Sequence, residues 1–123
     1  MFRVIVAGSR TICNQTFVFN HLDRLLVNKQ KYDRLQIVSG TARGVDKIGE
    51  AFAQARGYEC VRFPADWEKY GKRAGYLRNQ QMAEYADALV AFWDGKSPGT
   101  KHMIEIAKKY HLAVRVVMCT NAK

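Results

Sequence analysis

Residues 35–57 read LQIVSGTARGVDKIGEAFAQARG, and this stretch indicates the fold. The apolar run at 35–38 predicts a buried strand that ends at the small residues 39–41. Beyond them, an apolar face recurs at helical spacing, and Gly57 fits the C-cap of that helix. The apolar positions are Val45, Ile48, Phe52 and Ala55. The stretch therefore predicts one strand and one helix joined by a short loop that contains glycine.

The same alternation of strand and helix continues on both sides of this stretch. Four more apolar runs, at 4–7, 58–63, 88–93 and 113–118, predict strands, and helices are expected at about 14–29, 72–86 and 100–110. Residues 66–71 and 94–99 are expected to be loops. Continuous apolar runs are typical of strands buried on both faces of a parallel sheet. We therefore expect an α/β fold, a Rossmann-like three-layer αβα sandwich with a five-stranded parallel sheet.

Length and composition limit the class of protein. A chain of 123 residues predicts a single domain, here 1–119 followed by a short tail at 120–123. Twenty Lys and Arg against 11 Asp and Glu give a net charge of +9, which favours an anionic partner. No apolar run approaches the ~20 residues of a membrane span, and residues 1–6 lack the charged, then apolar, then small-residue pattern expected of a secretory signal. We expect a cytoplasmic protein that does not associate with membranes.

Cysteine and histidine usage gives no sign of a metal or a cofactor. Three cysteines form no CxxC pair, so neither a disulfide scaffold nor a zinc knuckle is expected. Cys60 and Cys119 lie in apolar runs and are predicted to be reduced core residues. The three histidines do not cluster with carboxylates at the spacing of metal ligands. We therefore expect no metal site.

Four loops are candidate binding loops, because ligands of open parallel sheets bind at the carboxyl ends of the strands. They lie at 8–11, 39–44, 66–79 and 94–100. Glycines permit close approach of the backbone, helix N-termini attract anions, and arginine can pair with phosphate through two hydrogen bonds. The residues of these loops that are predicted to bind the ligand or its phosphate are Gly8, Ser9, Arg10, Ser39, Gly40, Thr41, Arg43, Gly44, Asp46, Ser97, Gly99 and Thr100.

The segment 66–79 interleaves aromatic and basic side chains, which suits stacking on a base and pairing with phosphate. Trp67, Arg78 and Asn79 are predicted to form the base and ribose side of the site. Each loop also has a purely structural interpretation. Residues 39–46 can be an ordinary strand-to-helix turn, Thr100 can act only as a helix cap, and the basic residues of 66–79 can be a solvated face.

Four segments together resemble a known superfamily. They are VIVAGSR at 4–10, VSGTARGVD at 38–46, GKRAGYLRNQQM at 71–82 and SPGT at 97–100. In order and spacing they are similar to the SLOG superfamily, and within it to the small YspA/YpsA-related group of bacteria and phages. The resemblance implies a Rossmann-like domain that binds nucleotides or nucleotide-derived ligands and often forms homodimers or higher homo-oligomers.

Relatives within that superfamily differ in chemistry. The LOG phosphoribohydrolases cleave the N-glycosidic bond of nucleoside monophosphates, DNA-processing protein A binds single-stranded DNA, and other members sense NAD-derived signals. LOG enzymes carry a PGGxGTxxE signature whose glutamate and an upstream arginine serve hydrolysis. In this chain Arg78 is the counterpart of the arginine, whereas the glutamate has no clean counterpart and Glu105 lies further on.

Three hypotheses follow from these residues and this resemblance. The first is a module that binds a nucleotide or a nucleotide-derived signal of the NAD or ADP-ribose type, as a sensor or by sequestration. The second is a phosphoribohydrolase in which Arg78, and Glu105 if the geometry allows, act as catalytic residues. The third is binding of single-stranded nucleic acid, favoured by the charge of +9.

Overall fold

The computed structural model describes residues 1–12, 14–29 and 34–119, so the predicted tail at 120–123 lies outside the described residues. The elements alternate between strands and helices along the chain. They are β1 (Phe2–Gly8), α1 (Gln15–Leu26), β2 (Leu35–Ser39), α2 (Val45–Arg56), β3 (Glu59–Arg62), α3 (Trp67–Tyr70), a 3-10 turn (Gly71–Arg73), α4 (Ala74–Tyr85), β4 (Ala88–Trp93), α5 (Pro98–Lys109) and β5 (Ala113–Met118).

The five strands form one parallel sheet in the order β3-β2-β1-β4-β5. β1 is central, the chain builds outward through β2 and β3, and then it crosses to the other side of β1 to add β4 and β5. The strand order therefore reverses between β1 and β4. Loops leave in opposite directions at such a point and open a crevice at the carboxyl ends of the strands. The α/β Rossmann-like fold is as predicted.

Side chains of the central strand divide the core into two layers. Val4 and Val6 of β1 pack in a cluster with apolar side chains of α1 and α2. Ile5 and Ala7 point to the opposite face and pack with side chains of α4 and α5. Because successive side chains of a strand alternate between faces, one apolar strand serves both layers. This is why the residues of β1 from Val4 to Ala7 are a continuous apolar run in the sequence.

Local signals explain most helix boundaries, and two predictions were wrong. Gly57 ends α2 in a left-handed conformation, with φ of 74°, as predicted. Residues 67–70, expected to be loop, form a short helix because the Asp66 side chain accepts a hydrogen bond from the backbone N–H of Lys69 at 3.1 Å. Helix α5 begins at Pro98 with Ser97 at the N-cap position, so Thr100 lies inside the first turn and does not cap it. Across the described segments, no helix is long and apolar enough to cross a bilayer.

Candidate functional site

A cleft of about 410 Å³ lies at the carboxyl ends of β1 and β4, where the strand order reverses. This volume is in the range of small-molecule sites, about 300–1,000 Å³. The cleft is walled by the loop after β1, the segment from α3 into α4, and the first turn of α5. Its lining residues are Ala7, Gly8, Ser9, Arg10, Thr11, Ala42, Asp46, Trp67, Lys72, Gly75, Tyr76, Arg78, Asn79, Met82, Ser97, Pro98, Gly99, Thr100 and Met103.

The loops after β1 and β4 are joined by a network of hydroxyl and carboxylate groups. The Ser9 hydroxyl accepts a hydrogen bond from the backbone N–H of Asp94 at 3.2 Å and lies 3.0 Å from the hydroxyl of Ser97. Asp94 accepts from the backbone N–H groups of Lys96 and Ser97, both at 2.8 Å. These hydrogen bonds, led by that from Ser97, lower the pKa of Asp94 to about 2. Ser9 and Ser97 therefore hold the two loops together at the rim of the cleft.

The first turn of α5 faces the cleft with little side chain in the way. Pro98, Gly99 and Thr100 all line the cleft, and a methyl group added at Gly99 would meet nothing within 4 Å. The first N–H groups of a helix have no partner within the helix, and the helix dipole is positive at this end. This turn is therefore suited to an anionic group.

Arg78 crosses from α4 to the loop after β2. Its Nη1 donates to the carbonyl of Gly40, and its Nε donates to Oδ1 of Asn79 at 3.0 Å. Gly40 is required for this arrangement, because a Cβ at that position would lie 2.8 Å from Nη1 of Arg78. Burial lowers the pKa of Arg78, and the charges of Asp46 and Arg10 act on it in opposite directions. A guanidinium remains charged under such conditions, so Arg78 is a fixed cation at the cleft wall.

Asp46 is a buried carboxyl, 5% exposed, at the floor of the cleft. Burial raises its pKa to about 6, while hydrogen bonds from the N–H groups of Ala42 and Gly8 and the charge of Arg78 act in the other direction. The hydrogen bond from Ala42 measures 3.1 Å. Asp46 thus holds the backbone of two loops in place while its own oxygens are occupied.

An aromatic and basic wall closes the side formed by α3 and α4. Trp67 is 52% exposed and Tyr76 is 49% exposed, although both line the cleft. Large exposed rings are unusual on a domain surface and are suited to stacking on a planar ligand. Lys72 lies on the same wall, and with Arg10 and Arg78 it brings to three the cations among the described lining residues.

Most residues of the β2–α2 loop, residues 40–44, and Ser39 before it serve the fold. Ser39 is fully buried, donates to Glu50 at 2.7 Å and accepts from the N–H of Thr41 at 3.0 Å. A Cβ at Gly44, where φ is 80°, would lie 2.6 Å from the carbonyl oxygen of Arg10. Arg43 is exposed. The residues that the sequence suggested for phosphate but that lie outside the cleft lining are Ser39, Gly40, Thr41, Arg43 and Gly44.

The remaining sequence candidates are distributed unevenly around the cleft. Ten of them line it together: Gly8, Ser9, Arg10, Asp46, Trp67, Arg78, Asn79, Ser97, Gly99 and Thr100. Glu105 is exposed on α5 and outside the lining. The described residues contain no group of His, Cys, Asp and Glu placed to hold a metal ion.

Sequence reasoning did not single out Lys72 and Tyr76 as site residues, although both line the cleft, and it missed His102. The signal that marked Trp67, a ring beside basic residues, also extends to Lys72 and Tyr76. His102 packs its ring on Tyr76 with the centroids 4.4 Å apart, and its Nδ1 lies 3.1 Å from Nδ2 of Asn79. No local sequence pattern predicts that contact, because 23 residues separate the two side chains.

Comparisons with known proteins agree with this fold. The sequence model of the YspA, cpYpsA-related SLOG family matches residues 2–70. The gene 61 protein of Mycobacterium phage D29 is 38% identical over 120 residues, covering 93% of this chain and 94% of that protein.

Two solved structures share the fold at low sequence identity. DNA processing protein A of Streptococcus pneumoniae aligns with a TM-score of 0.72 and 17% identity, over 98% of this chain and 51% of that one. The same protein of Helicobacter pylori, described for its single-stranded DNA binding mode, aligns with a TM-score of 0.67 and 21% identity, over 94% and 64%. This chain thus spans roughly half to two thirds of each of those proteins.

Proposed function

The chain belongs to the YspA, cpYpsA-related SLOG family, and on that premise we propose that it binds a nucleotide or a nucleotide-derived ligand in the cleft. The observation that carries the proposal is the convergence, in about 410 Å³, of three cations, the first turn of α5 and two exposed rings. Phosphate would lie between Arg10, Arg78 and the turn that begins at Pro98. The base would lie against Trp67 and Tyr76.

Geometry supports this orientation of the ligand. The loops after β1 and β4 are held together by Ser9, Asp94 and Ser97, so the phosphate side is organised before a ligand arrives. Preorganised donors lose less entropy on binding than mobile ones. Trp67 and Tyr76 line the same cleft on the side formed by α3 and α4. An aromatic ring accepts any base because every base has a flat face.

The acidic groups favour binding over hydrolysis. Asp46 is the one carboxylate among the described lining residues, and its oxygens accept backbone hydrogen bonds. Met103, buried in the lining, stands three residues after Thr100, where the LOG signature has its glutamate. Hydrolysis of a glycosidic bond needs a carboxylate near the anomeric carbon, and Glu105 is outside the lining. The proposed role is therefore that of a sensor or a sequestering module.

Calorimetric titration with AMP and with ADP-ribose tests the proposal, using two matched aromatic variants. Trp67→Ala is expected to weaken AMP binding by about tenfold, since stacking on one base contributes about 1–3 kcal/mol. Tyr70→Ala is the control, because Tyr70 is 38% exposed on the same short helix but outside the lining. It is expected to bind AMP within about twofold of the parent protein. Equal losses in both variants, or no binding of either ligand, would contradict the proposal.

Binding of single-stranded DNA is a second candidate, and one observation favours it. The exposed aromatic and basic surface continues past the cleft, where Lys69 lies 5.2 Å from the centre of the Tyr70 ring and Arg73 follows in the next turn. Such a surface suits a strand longer than one nucleotide. The solved structure of DNA processing protein A from Helicobacter pylori, which binds single-stranded DNA, has the same fold.

The same two variants distinguish the candidates. If a strand runs over this surface, Tyr70→Ala weakens binding of a thymidine oligonucleotide as much as Trp67→Ala does. The oligonucleotide affinity also falls steeply with salt, because each phosphate contact releases counterions. Affinity for AMP that survives at high salt, with no affinity for the oligonucleotide, excludes this candidate.

A further inference from the structure

We propose that His102 and Asn79 are positioning residues for Arg78, and that they hold its guanidinium in place only while the His102 ring is neutral with its proton on Nε2. The expected effect on ligand affinity rests on the proposed function, in which Arg78 contacts the phosphate. The structural part stands on three hydrogen bonds that can be examined without any ligand.

A continuous chain of polar groups links α5 to the β2–α2 loop. Nδ1 of His102 lies 3.1 Å from Nδ2 of Asn79, whose Oδ1 accepts from Nε of Arg78 at 3.0 Å. Nη1 of Arg78 then donates to the carbonyl of Gly40. Nδ2 of Asn79 also lies 3.4 Å from the carbonyl of Gly99 in the first turn of α5. The chain thus joins the first turn of α5 to the β2–α2 loop.

Donor and acceptor chemistry sets the direction of every bond in this chain. A guanidinium can only donate, so the atom of Asn79 that faces Arg78 must be its carbonyl oxygen. The amide nitrogen then faces His102 and can only donate. Nδ1 of His102 must therefore be the acceptor, which requires the neutral ring with hydrogen on Nε2.

Protonation of His102 would disrupt the whole chain. A proton on Nδ1 would face the N–H of Asn79, and rotating that amide would turn its NH₂ toward the guanidinium of Arg78. Asn79 is 5% exposed, so water has little room to replace either bond. Both ways of accommodating the proton leave a donor against a donor: without rotation the Asn79 amide loses its contact with His102, and with rotation Arg78 loses one of its two anchoring contacts.

The surroundings of the ring favour its neutral form. The groups facing His102 are Tyr76 and Asn79 from α4 and Glu105 from its own helix. Burial lowers the pKa of His102, and the charge of Glu105 only partly opposes this. The neutral state that the chain requires is therefore the state expected at neutral pH.

Variants at position 102 test whether an acceptor is what matters. His102→Asn can place an oxygen near the position of Nδ1 and should preserve AMP affinity to within about threefold. His102→Leu keeps an apolar side chain of similar reach but has no acceptor, and should weaken AMP binding by about tenfold. Equal affinities of the two variants would overturn the proposal, because a purely packing role does not distinguish oxygen from carbon.

The pH dependence is read as the ratio of parent to His102→Asn affinities for AMP. The ratio removes the titration of the AMP phosphate and of Asp46, which occur in both proteins. It should fall as the pH is lowered through the His102 pKa measured by nuclear magnetic resonance. A ratio that rises would show that the added charge simply attracts the anion, and would overturn the proposal. His111→Asn, which removes an exposed histidine outside the cleft, should leave the profile unchanged.

A measurement without ligand separates this inference from the proposed function. Long-range proton–nitrogen correlation spectra of the parent protein should show His102 as the Nε2–H tautomer at neutral pH, and the Nε–H signal of Arg78 should be protected from exchange. The Nδ1–H tautomer would overturn the inference even if AMP binds. Failure of AMP to bind, with the Nε2–H tautomer present, would count against the proposed function alone. The same spectra decide the matter if His102→Leu does not fold.

Discussion

The β2–α2 loop and the loop between β4 and α5 (the β4–α5 loop, 94–97) look alike in sequence but differ in use. Each combines glycine and one hydroxyl-bearing residue with a basic residue and leads into a helix at the same edge of the sheet. In the first, the N–H groups of Thr41 and Ala42 are bound by Ser39 and Asp46. In the second, Ser97 and the turn from Pro98 to Thr100 line the cleft.

The difference shows what makes a glycine-containing turn available to a ligand. Backbone N–H groups bind an anion only if no side chain of the protein has already accepted their hydrogen bonds. Asp46 lies inside α2 and reaches back to its own loop, so it acts as an internal substitute for an anion. Asp94 accepts the N–H groups of Lys96 and Ser97 at the end of its loop. The first turn of α5 is left facing the cleft. In the β2–α2 loop, a carboxylate of the protein thus occupies an N–H group that an anion could bind. In the β4–α5 loop, the carboxylate binds N–H groups ahead of the helix, and the first turn of α5 stays available to a ligand.

Replacing one glycine in each region gives the largest expected contrast. Gly44→Ala should lower the free energy of unfolding by about 3 kcal/mol or more, because φ is 80° and the new Cβ would lie 2.6 Å from the Arg10 carbonyl oxygen. Gly99→Ala should change it by no more than about 0.5 kcal/mol, since nothing lies within 4 Å of its added Cβ. Denaturant unfolding measures both, and a similar cost for the two would remove the contrast between the loops.

The buried carboxyl of the first loop should make stability depend on pH. Because the pKa of Asp46 is raised from 3.8 to about 6, the folded state holds this proton more tightly than the unfolded state does. The protonated carboxyl therefore contributes to the free energy of unfolding below about pH 4. This contribution, about 3 kcal/mol at most, is lost as the pH rises through about 6.

Comparison with Asp46→Asn isolates this contribution. The variant cannot ionise at this position. Its free energy of unfolding should therefore increase relative to that of the parent protein as the pH rises from about 4 to about 7. Urea unfolding at several pH values gives the difference. A difference that stays constant over this range would mean that the carboxyl is not desolvated in the folded state.

Two exposed arginines sharpen the contrast in function. Arg10 lines the cleft, whereas Arg43 belongs to the β2–α2 loop and lies outside the lining. Arg10→Ala should weaken AMP binding by about tenfold, because a hydrogen bond between charged groups contributes about 1.5–3 kcal/mol. Arg43→Ala should remain within about twofold in the same titration. A larger loss of AMP affinity in Arg43→Ala than in Arg10→Ala would indicate that the phosphate binds at the β2–α2 loop instead.

The smallest expected effect is on stability at acidic pH, and it arises in the β4–α5 loop. Backbone N–H groups lower the pKa of Asp94 to about 2, so its contribution to stability is present above about pH 4 and is lost as the pH falls toward 2. The side chain is half-buried, and solvent keeps the effect below about 1 kcal/mol. Asp94→Asn should show a shallower loss of thermal stability over this range, whereas an unchanged slope would mean that the loop is not held by charge.

Sequence reasoning predicted the architecture well and the loops less well. The strands at 88–93 and 113–118 have the predicted bounds, because a continuous apolar run has few alternatives to a buried strand. Residues 67–70 and the start of α5 were misassigned, since a single capping side chain decides whether such short turns become helical. Thr100 accordingly lies in the first turn.

The candidate site shows the same division. Three predicted residues line the cleft: Gly8 at the end of β1, Arg10 in the loop after it, and Gly99 in the first turn of α5. The sheet topology places these element ends at one edge. Ser39 and Thr41 are at that edge too, but the Ser39 hydroxyl accepts a hydrogen bond from the N–H of Thr41 and donates one to Glu50. Whether a polar side chain in such a loop faces a ligand or the protein depends on partners far away in the chain, which local patterns do not reveal.

The amino-acid sequence alone determined the α/β class, the strands, and the set of loops from which a binding site would be drawn, because hydrophobic periodicity and chain connectivity act over short distances. Tertiary structure decided which of those loops is open. It brought His102 to Asn79 across 23 residues, directed Arg78 to Gly40 across 38, and buried Asp46. The physical reason is that hydrogen bonds are directional and depend on the partner's location in space, whereas apolar burial depends mainly on pattern.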